Sequence, residues 1–404
     1  MQKHAENHFW NSIKNIVGIF VYCFCQWLTL ILVIHIAGYT VSGEFSLVIS
    51  FTNLFCVISQ YNIRSYQLSD VNGKFLPKQY SGAYIITSGL AVVFFLIVLL
   101  FIGYSSSMVL LCVVYMLFKL CETFTNYIFT YMQLEYRYSD IAISYCLKGI
   151  IPLIGFAVCL YFTQSLFQTL CILSLLYAAV IIFYDIRKTY SFFPRGIVMK
   201  GTIHLLKECF PMMLASLIYY FLFFIPRFAV ENVYGSTELG YYSAFAMVIT
   251  VLSTMATAVC QVIIPVLSEK YVKRLTGDIV RIIFTILGII VVAAFAMILL
   301  ARLIGDRVFS IVFGAEILGH MYLLPPVIFA SVMLTVMNFS GACLTAMHKR
   351  VPMLIGMLVG AMLLGVMVIP VTRTGGMLGT TNIFTAALCV IILIYVIIII
   401  KNLA

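Results

Sequence analysis

Over 404 residues, 63% of the side chains are hydrophobic, 9% are charged and the mean hydropathy is +1.11, values that no water-soluble globular chain sustains. The formal net charge of +10 is spread between long apolar runs. It therefore speaks for membrane topology and attraction to anionic lipid, and not for nucleic-acid binding.

A helical span needs about 20 apolar residues, and in hydrocarbon only helices or closed barrels satisfy their own backbone. The apolar runs are continuous and do not alternate, so the chain reads as an all-α polytopic membrane protein. In chain order the expected spans are about 9–37, 45–62, 80–103, 108–131, 141–162 and 166–184, then 208–233, 239–264, 279–301, 322–347, 351–370 and 377–400. That is about 12 helices in two six-helix lobes, 1–185 and 208–404, joined by a basic, aromatic linker at 186–207 that lies on the membrane. Residues 1–10 carry Lys3, His4 and Glu6, and the run that follows is full-length without a small-residue cleavage site, so the first helix is expected to stay uncleaved. The 12 cysteines show no metal-ligand spacing and read as small apolar packing residues.

With the N-terminus inside the cell, nineteen of the 24 Lys and Arg fall in inner segments, Lys148 among them. Arg302, Arg307 and Arg373 fall on the other side, and Lys119 and Arg227 remain within spans. Under the positive-inside rule both termini are cytoplasmic. The outer connections are short; the longest, 302–321, is expected to be a loop.

The first connection has a twin. Gly38 to Ser46 and Gly235 to Ser243 share the spacing G-x4-G-x-[FY]-S, displaced by 197 residues. At the same displacement Ser46, Asn53, Gln60 and Arg64 match Ser243, Thr250, Thr257 and Gln261. Spacings of seven, seven and four put each set on roughly one helix face. The expectation is an internal repeat in which each half presents a polar-faced helix to a wet interior; the Gly pair alone is also what an ordinary helix–turn–helix connection would show.

Ionisable groups inside spans are costly unless they meet water or a partner, so each is a candidate site residue. Lys119 lies about eleven residues, roughly 17 Å, into the fourth span, and Glu122, Thr123, Asn126 and Thr130 continue along the same side. The pair Lys119/Glu122 either lines a wet cavity or only neutralises itself and stitches helices together. Arg227 either lines a cavity, aimed inward by a break at Pro226, or pairs with Glu231. Arg64 sits at the inner end of its span, where anchoring at the membrane surface is the stronger reading. Ser331, Thr335, Asn338 and Thr345 share a face of the tenth span and either line a cavity or bond neighbouring helices. The embedded inventory favours positive groups, which suits an anionic substrate such as a phosphate or pyrophosphate headgroup. The sequence holds no Gly-rich phosphate loop with Lys, no metal-ligand cluster and no Ser-His-Asp pattern, so no cofactor, nucleotide hydrolysis or covalent chemistry is indicated.

Twelve helices in two halves, Asn11-Ser12-Ile13-Lys14-Asn15 entering the first span, and the paired G-x4-G-x-[FY]-S after the first and seventh spans resemble the Wzx-type O-antigen and polysaccharide flippases of the multidrug/oligosaccharidyl-lipid/polysaccharide exporter superfamily. The likeness runs the full length and rests on topology more than on motifs. It implies a non-enzymatic transporter in the bacterial inner (plasma) membrane that moves an undecaprenyl-pyrophosphate-linked glycan to the periplasmic leaflet by alternating access, for O-antigen or capsular polysaccharide synthesis. It further implies a cationic lumen lined by Asn53, Gln60, Thr250 and Thr257, with Arg64 and Arg227 at plausible positions, and the polymerase and chain-length regulator of the same pathway as partners. The rivals are a multidrug-and-toxin extrusion exporter, for which Glu122 is the one buried carboxylate the N-terminal half offers, and a polysaccharide polymerase, which is expected to carry a large outer loop.

Overall fold

Apolar runs with few breakers fold here almost entirely into helices, and the ends fall where the sequence supplies a Gly, a Pro or a polar cap. The computed structural model describes the backbone of residues 2–403 apart from 71–72, 195 and 348; side chains are described from residue 14 onward, apart from those positions and 255, 258–259, 261–262, 265–266, 350 and 403. The Asn11-Ser12-Ile13 segment and Gln261 thus lie outside the described side chains. In order, the helices are α1 (Gln2–Gln60), α2 (Ile63–Ser69), α3 (Pro77–Phe101), α4 (Ser106–Leu134), α5 (Tyr138–Thr163), α6 (Leu166–Val180), a π-helical turn (Ile181–Ile186), α7 (Arg187–Thr189), α8 (Thr202–Tyr234), α9 (Ser236–Val272), α10 (Thr276–Phe313), a 3-10 helix (Ala315–Leu323), α11 (Leu324–Ala346) and α12 (Arg350–Leu403). α1 and α12 are each about twice the length a bilayer needs, and each is broken once, at Gly38 and at Gly376. Among the described residues nine helices are long and apolar enough to cross a membrane, eleven with α1 and α12 each counted as two segments, and the 37-residue α9 is also long enough.

The twin glycines adopt one conformation. Gly38 has φ 83° and ψ 176°, and Gly235 has φ 84° and ψ 178°. That region is open essentially to Gly alone, so the same residue reverses the chain after the first segment of each half. Gly240 lies inside the next helix, as the span 239–264 expected, and Gly43, expected to precede the span beginning at about 45, lies inside the next helix as well; both are buried and the connection is one residue long. The expected loop at 302–321 is likewise helical, because α10 runs to Phe313 and the 3-10 helix begins at Ala315.

The chain divides into two compact units, Met1–Leu217 and Ile218–Ala404, with the boundary inside α8. In the N-terminal unit α1 packs on α3, α4 and α5, and α6 covers α4 and α5. Small residues set the closest approaches: a Cβ on Gly18 would stand 2.7 Å from the Ala142 Cα, and one on Gly149 would stand 3.3 Å from the Tyr22 Cα. The segment after α7 docks on this unit through Phe193, Val198 and Lys200: Val198 N–H donates to the Lys78 carbonyl at 3.1 Å, Gln79 Nε2 donates to the Lys200 carbonyl at 2.7 Å, and the Phe193 ring meets Tyr127 and Tyr131. The start of α8 joins them through Leu205 and Cys209, buried with Ile63, Phe75, Tyr80 and Tyr84. In the C-terminal unit α11 packs on α9, α10 and α12. The two segments of α12 meet at Gly356 against Tyr395 and Gly360 against Ile391. α10 leaves Ile289, Val291, Val292 and Phe295 exposed, as a helix facing lipid does.

Candidate functional site

The polar stripe of α4 is where charge is concentrated. Lys119, Glu122, Asn126 and Gln133 recur at helical spacing on one side of a helix started by Ser105, whose hydroxyl accepts from the Met108 N–H at 3.4 Å. Lys119 Nζ pairs with Glu122 Oε2 at 2.6 Å, with 11% and 16% of the two side chains exposed. The Tyr22 hydroxyl donates to the other oxygen, Glu122 Oε1. The ammonium also lies 5.4 Å from the Tyr115 ring and 5.6 Å from the Phe118 ring. The pair is therefore held from three sides, and its charges are largely spent on each other.

One helical turn away along the stripe the balance differs. Arg64, on α2, donates through one terminal nitrogen to Asn126 Oδ1 at 3.0 Å and through the other to Gln133 Oε1 at 3.1 Å. Among the described residues no carboxylate forms an ion pair with Arg64. Two neutral amides orient the guanidinium without neutralising it, which leaves its charge available to an anion. Arg64 thus reaches into the α4 stripe, where surface anchoring had been the stronger expectation. Gln60 donates to Cys56 Sγ at 3.3 Å, and Cys56 meets Thr123, which ties this part of α1 to the same stripe. Asn53 and Gln60 are half-buried. A mainly apolar cavity of about 470 Å³ adjoins the stripe at Thr123, lined by α3, α4 and the chain around Phe193 and Ile197, with Ser81, Tyr84 and Phe124 among its walls.

The matched positions in the C-terminal unit are neutral in sequence, and the two threonines bond to their own helix. Thr250 and Thr257 donate to the Ala246 and Ser253 carbonyls one turn back, at 3.2 and 2.8 Å. The inter-helix polar contact there is made instead by Ser253 with Tyr219 at 2.8 Å and Asn338 at 3.4 Å. Arg227 donates to the Phe223 carbonyl of its own helix at 3.0 Å, and α8 continues through Pro226, so the local break expected there does not occur. The structure brings Lys119, Glu122, Gln60 and Arg64 to one stripe; Arg227, Thr250 and Thr257 belong to the other unit.

The strongest buried charge pair was missed by sequence reasoning. Lys148, counted there among the inner-segment charges, and Asp185, the last residue of the expected N-terminal lobe, are both fully buried and paired. Asp185 Oδ1 also accepts from Ser144 at 2.6 Å, and Lys148 Nζ donates to Thr125 at 2.8 Å over the rings of Phe129 and Tyr177. The available signal was a Lys inside the expected span 141–162, four residues after Ser144 on the same face.

Outside the spans, Asp70 organises the α2–α3 connection. Burial works to raise its pKa, but the Lys74 and Phe75 N–H groups, the Tyr80 hydroxyl and the Lys74 charge outweigh it, and the carboxyl is held below the usual Asp range.

No protein-family model matches the chain. It is 22% identical over 298 residues to the capsular polysaccharide biosynthesis protein CapF of Staphylococcus aureus, covering 72% of this chain and 74% of that protein. Among solved structures it is similar to a multidrug resistance MATE family transporter of the MOP superfamily in an inward-facing conformation, at TM-score 0.70 and 12% identity over 96% of this chain and 98% of the other. It is equally similar to the lipid II flippase MurJ in an inward closed conformation, at TM-score 0.71 and 14% identity over 98% of this chain and 89% of the other. The chain therefore has the all-helical, two-lobed membrane fold that MATE transporters and MurJ share.

Proposed function

We propose that this protein is a transporter that flips an undecaprenyl-pyrophosphate-linked oligosaccharide from the cytoplasmic to the periplasmic leaflet of the bacterial plasma membrane by alternating access, in the synthesis of O-antigen or capsular polysaccharide. The observation that carries this reading is Arg64, an embedded guanidinium held by Asn126 and Gln133 and by no carboxylate among the described residues. A pyrophosphate headgroup is the kind of anion such a group binds, in bidentate fashion and at low hydration cost. The fold shared with a lipid II flippase and the similarity to a capsular polysaccharide biosynthesis protein support the same substrate class. Lys119 and Glu122 form the second contact, a phosphate oxygen replacing Glu122 as the partner of Lys119 when the headgroup binds. Gln60, Asn53, Thr250 and Thr257 offer uncharged groups to sugars, and Arg227 adds a cation in the second half. Both termini lie in the cytoplasm, and the polymerase and chain-length regulator of the pathway work beside it.

The test is the fate of lipid-linked glycan in cells lacking the gene, with sidedness read by a glycan-modifying enzyme confined to the periplasm. Single repeat units shielded on the cytoplasmic face are expected; units reached by the enzyme would mean that flipping is intact and a polymerase is missing. Arg64→Ala, Lys119→Ala and Arg227→Ala are each expected to insert normally and to fail to restore export. A drug-exporter reading draws on the same fold and on Glu122 as an embedded carboxylate. It would be favoured by cationic-drug sensitivity with normal glycan export.

A further inference from the structure

The N-terminal unit holds two neighbouring cavities that the candidate site does not use. The larger, of about 470 Å³, is the one that adjoins Thr123; the smaller, of about 210 Å³, is lined by Ile128, Ile186, Thr189 and Tyr190. Phe124 and Phe193 are walls of both, so the two chambers lie side by side against this pair of rings. Along α3 the larger one runs from Ser81 to Ser88, about 6 to 17 Å from the start of the helix at 1.5 Å per residue, which is about the hydrocarbon depth of one leaflet. Its hydroxyls are spent on protein partners: Ser81 bonds to Tyr127 at 2.5 Å, Ser88 to Ser59 at 2.9 Å, and Thr123 donates to the Lys119 carbonyl at 3.1 Å. With those groups satisfied, the walls left by Ile85, Leu120, Phe124 and Ile197 suit a hydrocarbon chain. The rim is cationic. Lys78 Nζ stands 3.9 Å from the place a Cβ on Gly196 would take, and Gly196 lines the larger chamber. Arg187 follows Ile186 of the smaller chamber and is exposed. Among the described residues no carboxylate forms an ion pair with Lys78 or Arg187, and Asp140 is already shared by Arg137 and Lys188.

We propose that the two chambers form a binding site for an anionic diacyl phospholipid such as phosphatidylglycerol, with one acyl chain in each chamber against the Phe124 and Phe193 rings and the phosphodiester at Lys78. Arg187 adds to the positive field of the rim. Basic pockets between membrane helices favour anionic headgroups, and a zwitterionic lipid, which carries its own cation, gains less from Lys78. Two short adjacent chambers suit two short chains and not one long polyprenyl chain. The lipid is wedged between α3, α4 and the connection from α7 to α8, and it holds that connection on the N-terminal unit beside the bonds from Val198 to Lys78 and from Gln79 to Lys200. The site needs only that the chain sits in a bilayer, and it is independent of which substrate the protein carries.

The test is native mass spectrometry of the full chain released from detergent, titrated in turn with dioleoyl phosphatidylglycerol, dioleoyl phosphatidylcholine, oleoyl lysophosphatidylglycerol and undecaprenyl phosphate. Phosphatidylglycerol is expected to bind about fivefold more tightly than phosphatidylcholine, the worth of one cation toward an anionic headgroup, and Lys78→Gln should remove that preference. Ile186→Trp, which fills the smaller chamber, should weaken the two-chain lipid by about tenfold, the worth of some two buried methylenes, and leave the one-chain lysolipid unchanged. Ile85→Trp, which fills the larger chamber, should weaken both. Leu90→Trp, exposed on α3 but off the chambers, should change neither, which separates lost room from the general effect of a bulky side chain. Equal affinity for the two diacyl lipids in the wild type would mean unselective boundary lipid and overturn the site. Tighter binding of undecaprenyl phosphate than of phosphatidylglycerol would give the chambers to a prenyl chain and overturn it as well. The glycan-sidedness assay is separate, so failure of the transport reading leaves these outcomes unchanged.

Discussion

The two units reverse their first helical pair on the same glycine with the same φ and ψ, yet they differ in what they bury. The N-terminal unit holds the embedded Lys119–Glu122 and Lys148–Asp185 pairs and Arg64; the C-terminal positions matched to Asn53 and Gln60 carry threonines bonded to their own helix. A backbone device that only Gly can adopt is thus kept in both halves, while the embedded pairs of Lys119 and Lys148 belong to the N-terminal unit and Arg227 to the C-terminal one. Repeat geometry and site chemistry are separate properties of this chain, and each can be disturbed without the other.

The largest effect should come from Lys148→Met, which leaves Asp185 buried and unpaired. A loss of about 3–5 kcal/mol is expected, readable as a fall in thermal unfolding temperature in detergent, and Lys148→Met with Asp185→Asn should recover most of it. Thr257→Val in the other unit should move the same measurement by less than about 0.5 kcal/mol. Arg64→Gln should lower export by roughly 10- to 100-fold, as loss of a charge-assisted contact worth about 1.5–3 kcal/mol predicts, with expression unchanged. Equal losses of export in Arg64→Gln and Thr257→Val would erase the contrast between the units.

Gly38→Ala and Gly235→Ala sharpen the opposite side of the comparison, because both should cost about 1–3 kcal/mol and by similar amounts. Gly89→Ala, in a helix with open space around its Cβ position, should instead stabilise by about 0.5–1 kcal/mol. The smallest effect concerns pH. The Asp70 carboxyl is depressed in the folded protein, so its contribution is present above the ordinary Asp range and is lost as pH falls through the lower folded value. Asp70→Asn should flatten that acid limb of the unfolding profile and leave neutral-pH export intact.

The membrane class and the twin reversal were legible in the sequence, because hydropathy over twenty residues and a paired glycine spacing each reflect a single physical constraint. What they misplaced was the start of the second span: Gly43 was left outside it and lies buried inside the helix. The α4 stripe was legible for the same reason, as polar groups at helical spacing in an apolar run stand out. Lys148 and Asp185 did not stand out, since a cation near a span end is what topology alone demands, and a π-helical turn leaves no mark in residue order. Arg64 was ambiguous because its partners, Asn126 and Gln133, are more than sixty residues away in the chain.

The one-residue reversals at Gly235 and Gly376, at one end of the C-terminal unit, have a consequence for anything that approaches from that end. A helix pair closed by a single glycine exposes no excursion of chain for an antibody, a protease or a soluble partner to grip, and an epitope tag inserted there must rebuild the hairpin in order to be displayed. Reagents meant to report on that end would be better directed to the 3-10 helix Ala315–Leu323, where Leu318 and Tyr322 are exposed.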